Sequence, residues 1–170
     1  RLIELLAQHA PAAPVRSLRE GDRARAIRDG RYCYDHLAGR LGVAVMGSLL
    51  ERGVVDGGDG EFHPDAAHRD HLSAPGHDVD YRLTDGGARW LSDFGVDLEP
   101  LRAGRRPLIR YCMDWSEQRH HLAGALGAAL AARITERGWI ERAPHSRAVR
   151  VTPTGHDGLG EAFGFTWPPG

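Results

Sequence analysis

An internal duplication constrains this chain more than any other feature. Arg31-Tyr32-Cys33-Tyr34-Asp35 runs into His36-Leu37-Ala38-Gly39-Arg40-Leu41-Gly42 and closes on Glu51-Arg52-Gly53. Arg110-Tyr111-Cys112-Met113-Asp114 leads, through a six-residue insertion, into His121-Leu122-Ala123-Gly124-Ala125-Leu126-Gly127 and closes on Glu136-Arg137-Gly138. Each copy then reaches a strand-like run ending in Thr, with Gly three residues on: Thr84 with Gly87, and Thr152 with Gly155. Self-similarity of this length predicts a tandem of two helix–helix–hairpin–helix units.

The periodicity agrees. Leu37, Leu41, Ala44, Val45 and Leu49 recur at helical spacing, and Leu122, Leu126, Ala129, Leu130 and Ile134 repeat them, so each copy has one helix with one buried stripe. Gly39 and Gly42, matched by Gly124 and Gly127, fall inside these predicted helices. A mid-helix glycine costs about 1 kcal/mol against alanine, so four of them imply close backbone packing. The expectation is that the two repeat helices cross there, about a pseudo-twofold axis.

Local signals fill in the rest. Leu2–Gln8 reads as an amphipathic helix cut off by Pro11, and Ser17-Leu18-Arg19-Glu20 has capping-box spacing ahead of a polar helix ending near Gly30. Val54-Val55 and Glu61-Phe62 suit the arms of a hairpin around a glycine-rich turn. Residues 63–80 have no period and read as an exposed, mobile loop. Tyr81–Thr84 is a predicted strand, followed by a helix carrying Trp90, Leu91 and Phe94, a short helix over Asp97–Arg102 and an arginine-rich linker. In the second copy Ser116 and Glu117 are expected to cap the long helix. Residues 138–140 and 148–152 form a hairpin, and Pro153 opens a last helix.

These elements define an α+β, mainly helical chain of two winged-helix-like repeats. Residues 1–30 form linker or dimerisation helices, residues 31–95 the first repeat and residues 96–170 the second. The opening residues, which begin mid-helix without Met, suggest a piece of a longer protein.

The wording of the motifs also carries a resemblance. Cys33-Tyr34-Asp35-His36-Leu37-Ala38-Gly39, Tyr81-Arg82-Leu83-Thr84, Cys112-Met113-Asp114-Trp115-Ser116-Glu117, His121-Leu122-Ala123-Gly124 and Val151-Thr152-Pro153-Thr154-Gly155 resemble the C-terminal region of actinobacterial ArsR-like winged-helix transcriptional regulators. The resemblance covers most of residues 15–165. It implies the effector-sensing and dimerisation portion of a repressor-type regulator, a homodimer, with DNA read by a winged helix upstream of this chain. The effector of such a portion is expected to be a small molecule or, on the cysteine and histidine residues below, a metal ion; the cysteine-bearing recognition-helix motif of the metal-sensing branch is not found in this sequence.

Composition excludes other classes. No apolar run approaches the roughly 20 residues of a membrane span. A net charge of −1 argues against nucleic-acid binding by this portion itself. Two cysteines make no disulfide framework, which suits a reducing cytoplasm. No nucleophile elbow, phosphate loop, dinucleotide fingerprint or HExxH motif points to an enzyme.

Several side chains remain as candidates for chemistry. Cys33 and His36, at i, i+3 on an expected helix, share a face and suit a zinc-like divalent ion. Asp35 lies beside them, and Cys112, Asp114 and His121 echo the set, so the two groups converge if the repeats pack together. Burial of free cysteines, capping of helices by Asp35 and Asp114, or a thiol redox pair are the other readings of the same residues. His63, His68, His71 and His77 form a weaker metal candidate in the acidic loop. Arg102, Arg105, Arg106 and Arg110 form the densest basic stretch, which suits either phosphate contact, through Arg105 and Arg106, or a linker paired with the acidic loop and solvent. Trp90, Trp115 and Trp139 are core residues or the wall of a ligand pocket.

Overall fold

The computed structural model of the protein describes residues 18–168. The helix expected over Leu2–Gln8 and the capping residue Ser17 lie outside them. In chain order the elements are α1 (Leu18–Asp29), β1 (Arg31–Cys33), β2 (His36–Ala38), α2 (Gly39–Glu51), β3 (Val55–Asp56), β4 (Arg82–Leu83), α3 (Asp85–Phe94) and α4 (Leu98–Ala103). They continue with β5 (Arg110–Met113), β6 (His120–Ala123), α5 (Gly124–Glu136), β7 (Ile140–Arg142), β8 (Val149–Val151) and α6 (Pro153–Phe163). The strands form four antiparallel two-stranded ladders: β1–β2, β3–β4, β5–β6 and β7–β8.

At the junction of each hairpin with the helix after it, the two halves make the same contacts. Thr84 Oγ1 accepts from the Gly87 N–H and donates to the Gly53 carbonyl; Thr152 Oγ1 accepts from the Gly155 N–H and donates to the Gly138 carbonyl. Each threonine thus caps a helix and ties it to the loop before the hairpin. A Cβ on Gly87 would run into the Val54 carbonyl, and one on Gly155 into that of Trp139. Only glycine admits the hairpin at that distance.

Four local expectations change. Residues 31–38 and 110–123 are hairpins, so Leu37 and Leu122 lie on strands and the long helices begin only at Gly39 and Gly124. Those two glycines have φ of +74° and +82° and turn the strand-to-helix corner. Ser116 and Glu117 belong to the β5–β6 turn and cap no helix; Asp114 accepts from both of their N–H groups. Val55 pairs with Leu83 instead of with residues 61–62, because β4 offers a full antiparallel partner. Glu61 forms an isolated bridge to Arg119.

The loop at 63–80 is exposed in part but tethered. Asp78 Oδ2 accepts from the N–H groups of His68, Arg69 and Asp70, and buried Asp70 accepts from the N–H of His77 and the hydroxyl of Tyr111. Residues 73–76 then run beside β5, where the Ser73 N–H bonds the Met113 carbonyl and the Gly76 N–H that of Tyr111. The other half shows the counterpart: β1 is flanked by the second wing, with Tyr32 N–H to the Arg147 carbonyl and Val149 N–H to that of Gly30.

The two glycine helices make little direct contact with each other. α2 packs on β6, α5 on β2, and β2 on β6, so the close approach is helix to strand. A Cβ on Gly42 would meet the Leu37 carbonyl and come within 3.5 Å of His121 Cβ. One on Gly127 would lie 2.6 Å from the Leu122 carbonyl and 3.3 Å from His36 Cβ. Glycine here lets a helix fold back against its own strand while the histidine of the opposite half sits over it. A single apolar cluster runs through both halves, from Leu41, Met46 and Leu49 to Leu126, Leu130 and Ile134.

Candidate metal centre

The site lies on this seam. In the β1–β2 ladder Cys33 stands opposite His36, and in the β5–β6 ladder Cys112 stands opposite His121. Each hairpin therefore offers one thiol and one imidazole as a cross-strand pair, not as neighbours on a helix. Packing β2 against β6 brings the pairs together: one donor atom from each of Cys33, His36, Cys112 and His121 lies within 4.8 Å of every other. The two rings face each other with centroids 5.3 Å apart.

Both histidines are almost fully buried, at 3% and 1% exposure. Nε2 of His36 and both ring nitrogens of His121 make no hydrogen bond of regular geometry, although Cys33 lies against both rings and Asp114 against His121. Leaving such groups unmatched costs about 1–3 kcal/mol each, so they call for an explanation. On the other side of each ring stands a carboxylate: Asp35 Oδ1 lies 3.3 Å from His36 Nδ1, and Asp114 Oδ2 lies 3.4 Å from His121 Nδ1. Each carboxylate is held in turn by an arginine, Arg106 for Asp35 and Arg31 for Asp114.

Neither aspartate caps its own helix. Asp35 sits in the two-residue β1–β2 turn beside Tyr34, whose φ of +62° is rare for a bulky side chain. Asp114 instead reaches across the seam, where Oδ2 accepts from the Gly39 N–H at 2.7 Å and from Arg31 at 2.8 Å. It caps the helix of the other half. The first N–H groups of α5 go elsewhere, to the Pro107 and Leu108 carbonyls.

The electrostatics favour charge separation inside the site. Burial works to raise the Asp114 carboxyl, but His121, Arg31, the Gly39 N–H and Ser116 together hold it far below the usual carboxylate range. Arg106 holds Asp35 down to about 2. Burial opposes protonation of His121, yet Asp114 and Cys33 overcome it and raise the imidazole. The Cys112 thiol, hydrogen-bonded to Cys33, lowers Cys33, helped by both imidazoles and opposed by burial; the same bond pushes Cys112 up. One thiolate is stabilised first, as a metal-binding or nucleophilic thiol requires.

The four donors form part of the wall of an open cavity of about 810 Å³, together with Tyr34, Met113, Trp115, Arg106, Arg110 and the strap residues 73–75. Of the three tryptophans considered, Trp115 lines it, under the Arg31 guanidinium. Trp90 and Trp139 lie elsewhere, packed against Phe94, because the apolar cluster claims them. Arg106 lines the cavity and is paired with Asp35; Arg105 is exposed and outside the cavity wall. The histidines of residues 63–77 do not gather into a metal-binding group among the described residues. Sequence reasoning missed Arg31, Arg147 and the strap at 73–75. Only the tertiary pairing of each hairpin with the opposite wing brings them in.

Comparison with known proteins finds similarity to a helix-turn-helix regulator of transcription. Over 154 residues, 91% of this chain, the sequence is 39% identical to the uncharacterized HTH-type transcriptional regulator YdfF of Bacillus subtilis (strain 168). The match takes in 60% of that relative, so the chain spans about three-fifths of its length. No family model and no solved structure matches the chain. No helix among the described residues is long and apolar enough to cross a membrane.

Proposed function

We propose that this chain is the effector-sensing and dimerisation portion of an ArsR-like, winged helix-turn-helix DNA-binding regulator of the repressor type, acting in the cytoplasm as a homodimer. The two halves are read as winged-helix-like repeats about a pseudo-twofold. Similarity to the Bacillus regulator supports the regulatory class, and the position of the cavity carries the sensing role. It opens where the two halves meet, so an occupant touches β2, β5 and β6 at once and biases how the halves sit. Coupling of this kind is typically worth about 1–3 kcal/mol.

A purely structural dimerisation role is the other reading. Buried imidazole nitrogens without regular hydrogen bonds favour sensing over it, since a seam kept only for stability gains from apolar residues at those positions. The test is promoter binding by the regulator, read by fluorescence anisotropy against a panel of metabolites and divalent ions. A change of about 5-fold or more in DNA affinity, abolished by Cys33→Ser or His121→Gln, is the expected result. DNA affinity indifferent to every ligand, with the seam variants behaving like the parent, would return the chain to the structural reading.

A further inference from the structure

We propose that Cys33, His36, Cys112 and His121 bind one zinc-class divalent ion at the seam, through two thiolates and the Nε2 atoms of the two imidazoles. This deepens the sensing role above and rests on it for its consequence, though not for its chemistry.

Three observations converge on the same four residues. The donor atoms already lie within 4.8 Å of one another. Ligands of a tetrahedral zinc with Zn–S near 2.3 Å and Zn–N near 2.0 Å are about 3.4–3.8 Å apart, a difference that rotation of four side chains closes. Second, Nε2 of each histidine is buried without a regular hydrogen bond while its Nδ1 faces an aspartate. That is the carboxylate–histidine arrangement that fixes ring orientation and raises the basicity of a metal-ligating imidazole. It occurs twice, with each carboxylate backed by its own arginine. Third, two sulfur and two nitrogen donors gathered at one place select zinc-like ions over magnesium or calcium, which demand oxygen.

The topology gives the site its consequence. Cys33 and His36 come from the first hairpin, Cys112 and His121 from the second, so the ion is a clasp between halves, not a staple within one. Both cysteines are only half-buried and open onto the cavity. An ion bound there has a route in and out, unlike one sealed in a core. An ion held by donors from both hairpins fixes β2 against β6, and α5 and α2 lie against those strands.

Cobalt(II) added to the purified, reduced 170-residue protein is the direct probe. The expected result is one ion per chain, with a thiolate-to-cobalt charge-transfer band, intense tetrahedral visible bands, and displacement by zinc with a rise in the thermal midpoint. Cys33→Ser and Cys112→Ser each remove part of the charge-transfer intensity. His36→Gln and His121→Gln shift the visible bands and weaken binding. Asp114→Asn weakens it about 10–100-fold, and the paired variant His63→Gln/His68→Gln leaves it unchanged. A variant that fails to fold is replaced by its opposite-half equivalent, so each class of ligand is tested at least once on folded protein. A folded parent that shows only weak octahedral cobalt without a thiolate band overturns the proposal; so does a band whose intensity is undiminished by loss of either cysteine. If the tetrahedral site forms but promoter affinity ignores the ion, the metal site stands and the sensing role falls. The reverse pattern removes the ion and keeps the role.

Discussion

Replacing Asp114 by Asn is the sharpest test of how the seam is held. The carboxylate is fully buried and meets Arg31, the Gly39 N–H, the Ser116 N–H and the Ser116 hydroxyl at 2.7–2.9 Å. Both oxygens are therefore filled by donors. An asparagine side chain turns one of those acceptor positions into an NH2 group facing donors, whichever way it flips. It also leaves Arg31, 3% exposed, without its counter-charge. Two charge-assisted hydrogen bonds are worth about 1.5–3 kcal/mol each, and breaking a buried pair by removing one partner costs about 3–5 kcal/mol. The expected loss is therefore about 3–5 kcal/mol, or about 6–20 °C in thermal midpoint for a chain of this size. Urea unfolding in the presence of chelator reads it as a lower midpoint with unchanged slope. Adding Arg31→Met to Asp114→Asn removes the stranded charge, so the double variant should recover part of the loss, a coupling of about 1–3 kcal/mol. A cost below about 1 kcal/mol for Asp114→Asn would show that the pair does not hold the halves together.

Two further outcomes follow from the same geometry. Gly42→Ala should destabilise by about 1–3 kcal/mol, because the new Cβ strikes the Leu37 carbonyl. Gly47→Ala, in the same helix with nothing within 4 Å of its Cβ, should stabilise by up to about 1 kcal/mol; equal effects in chemical denaturation would contradict the fold-back. Acid sensitivity should trace to His120, which burial lowers from 6.5 to about 4 and whose Nδ1 lies 2.6 Å from the Tyr81 hydroxyl. The unfolded chain binds the extra proton between those values, so this contribution is complete above about 6.5 and fades as pH falls toward 4, by up to about 3 kcal/mol. His121, raised in the folded state, works in the opposite sense. The measurement is therefore the difference between the parent and His120→Gln across that window, and a difference independent of pH would refute the assignment.

The parts of the fold that read directly from sequence are those fixed by local chemistry. Thr84 and Thr152 with glycine three residues on, Asp97 before α4 and Pro153 opening α6 are capping signals that need no tertiary information. The hairpins at 31–38 and 110–123 were opaque for a physical reason. Tyr34-Asp35 carries none of the Asn-Gly or Gly-X chemistry that marks a two-residue turn, and His36-Leu37-Ala38 continues the helical spacing of α2 unbroken. The loop at 63–80 has no period because its order comes from Asp70 and Asp78 collecting backbone N–H groups. The repeated Cys, Asp and His were visible as a set and wrong in arrangement: the donors pair across strands, and the aspartates serve the histidines and the opposite helix.

The six residues that break the duplication explain why the halves are not interchangeable. With only two residues in its turn, the first hairpin holds Asp35 at the surface, with its side chain 48% exposed and paired to Arg106, itself 45% exposed. The longer second turn folds Asp114 inward to 0% exposure, onto Arg31 and Gly39 of the other half. Two equivalent carboxylate–histidine pairs thus sit in unequal dielectrics. The Asp114–His121 arm is dry and rigid, and its charge interactions are barely screened. The Asp35–His36 arm is open to water, and an exposed pair such as Asp35–Arg106 contributes at most about 1 kcal/mol. Whatever enters the seam should therefore be released first from the His36 side. Salt should weaken that arm while leaving the other untouched.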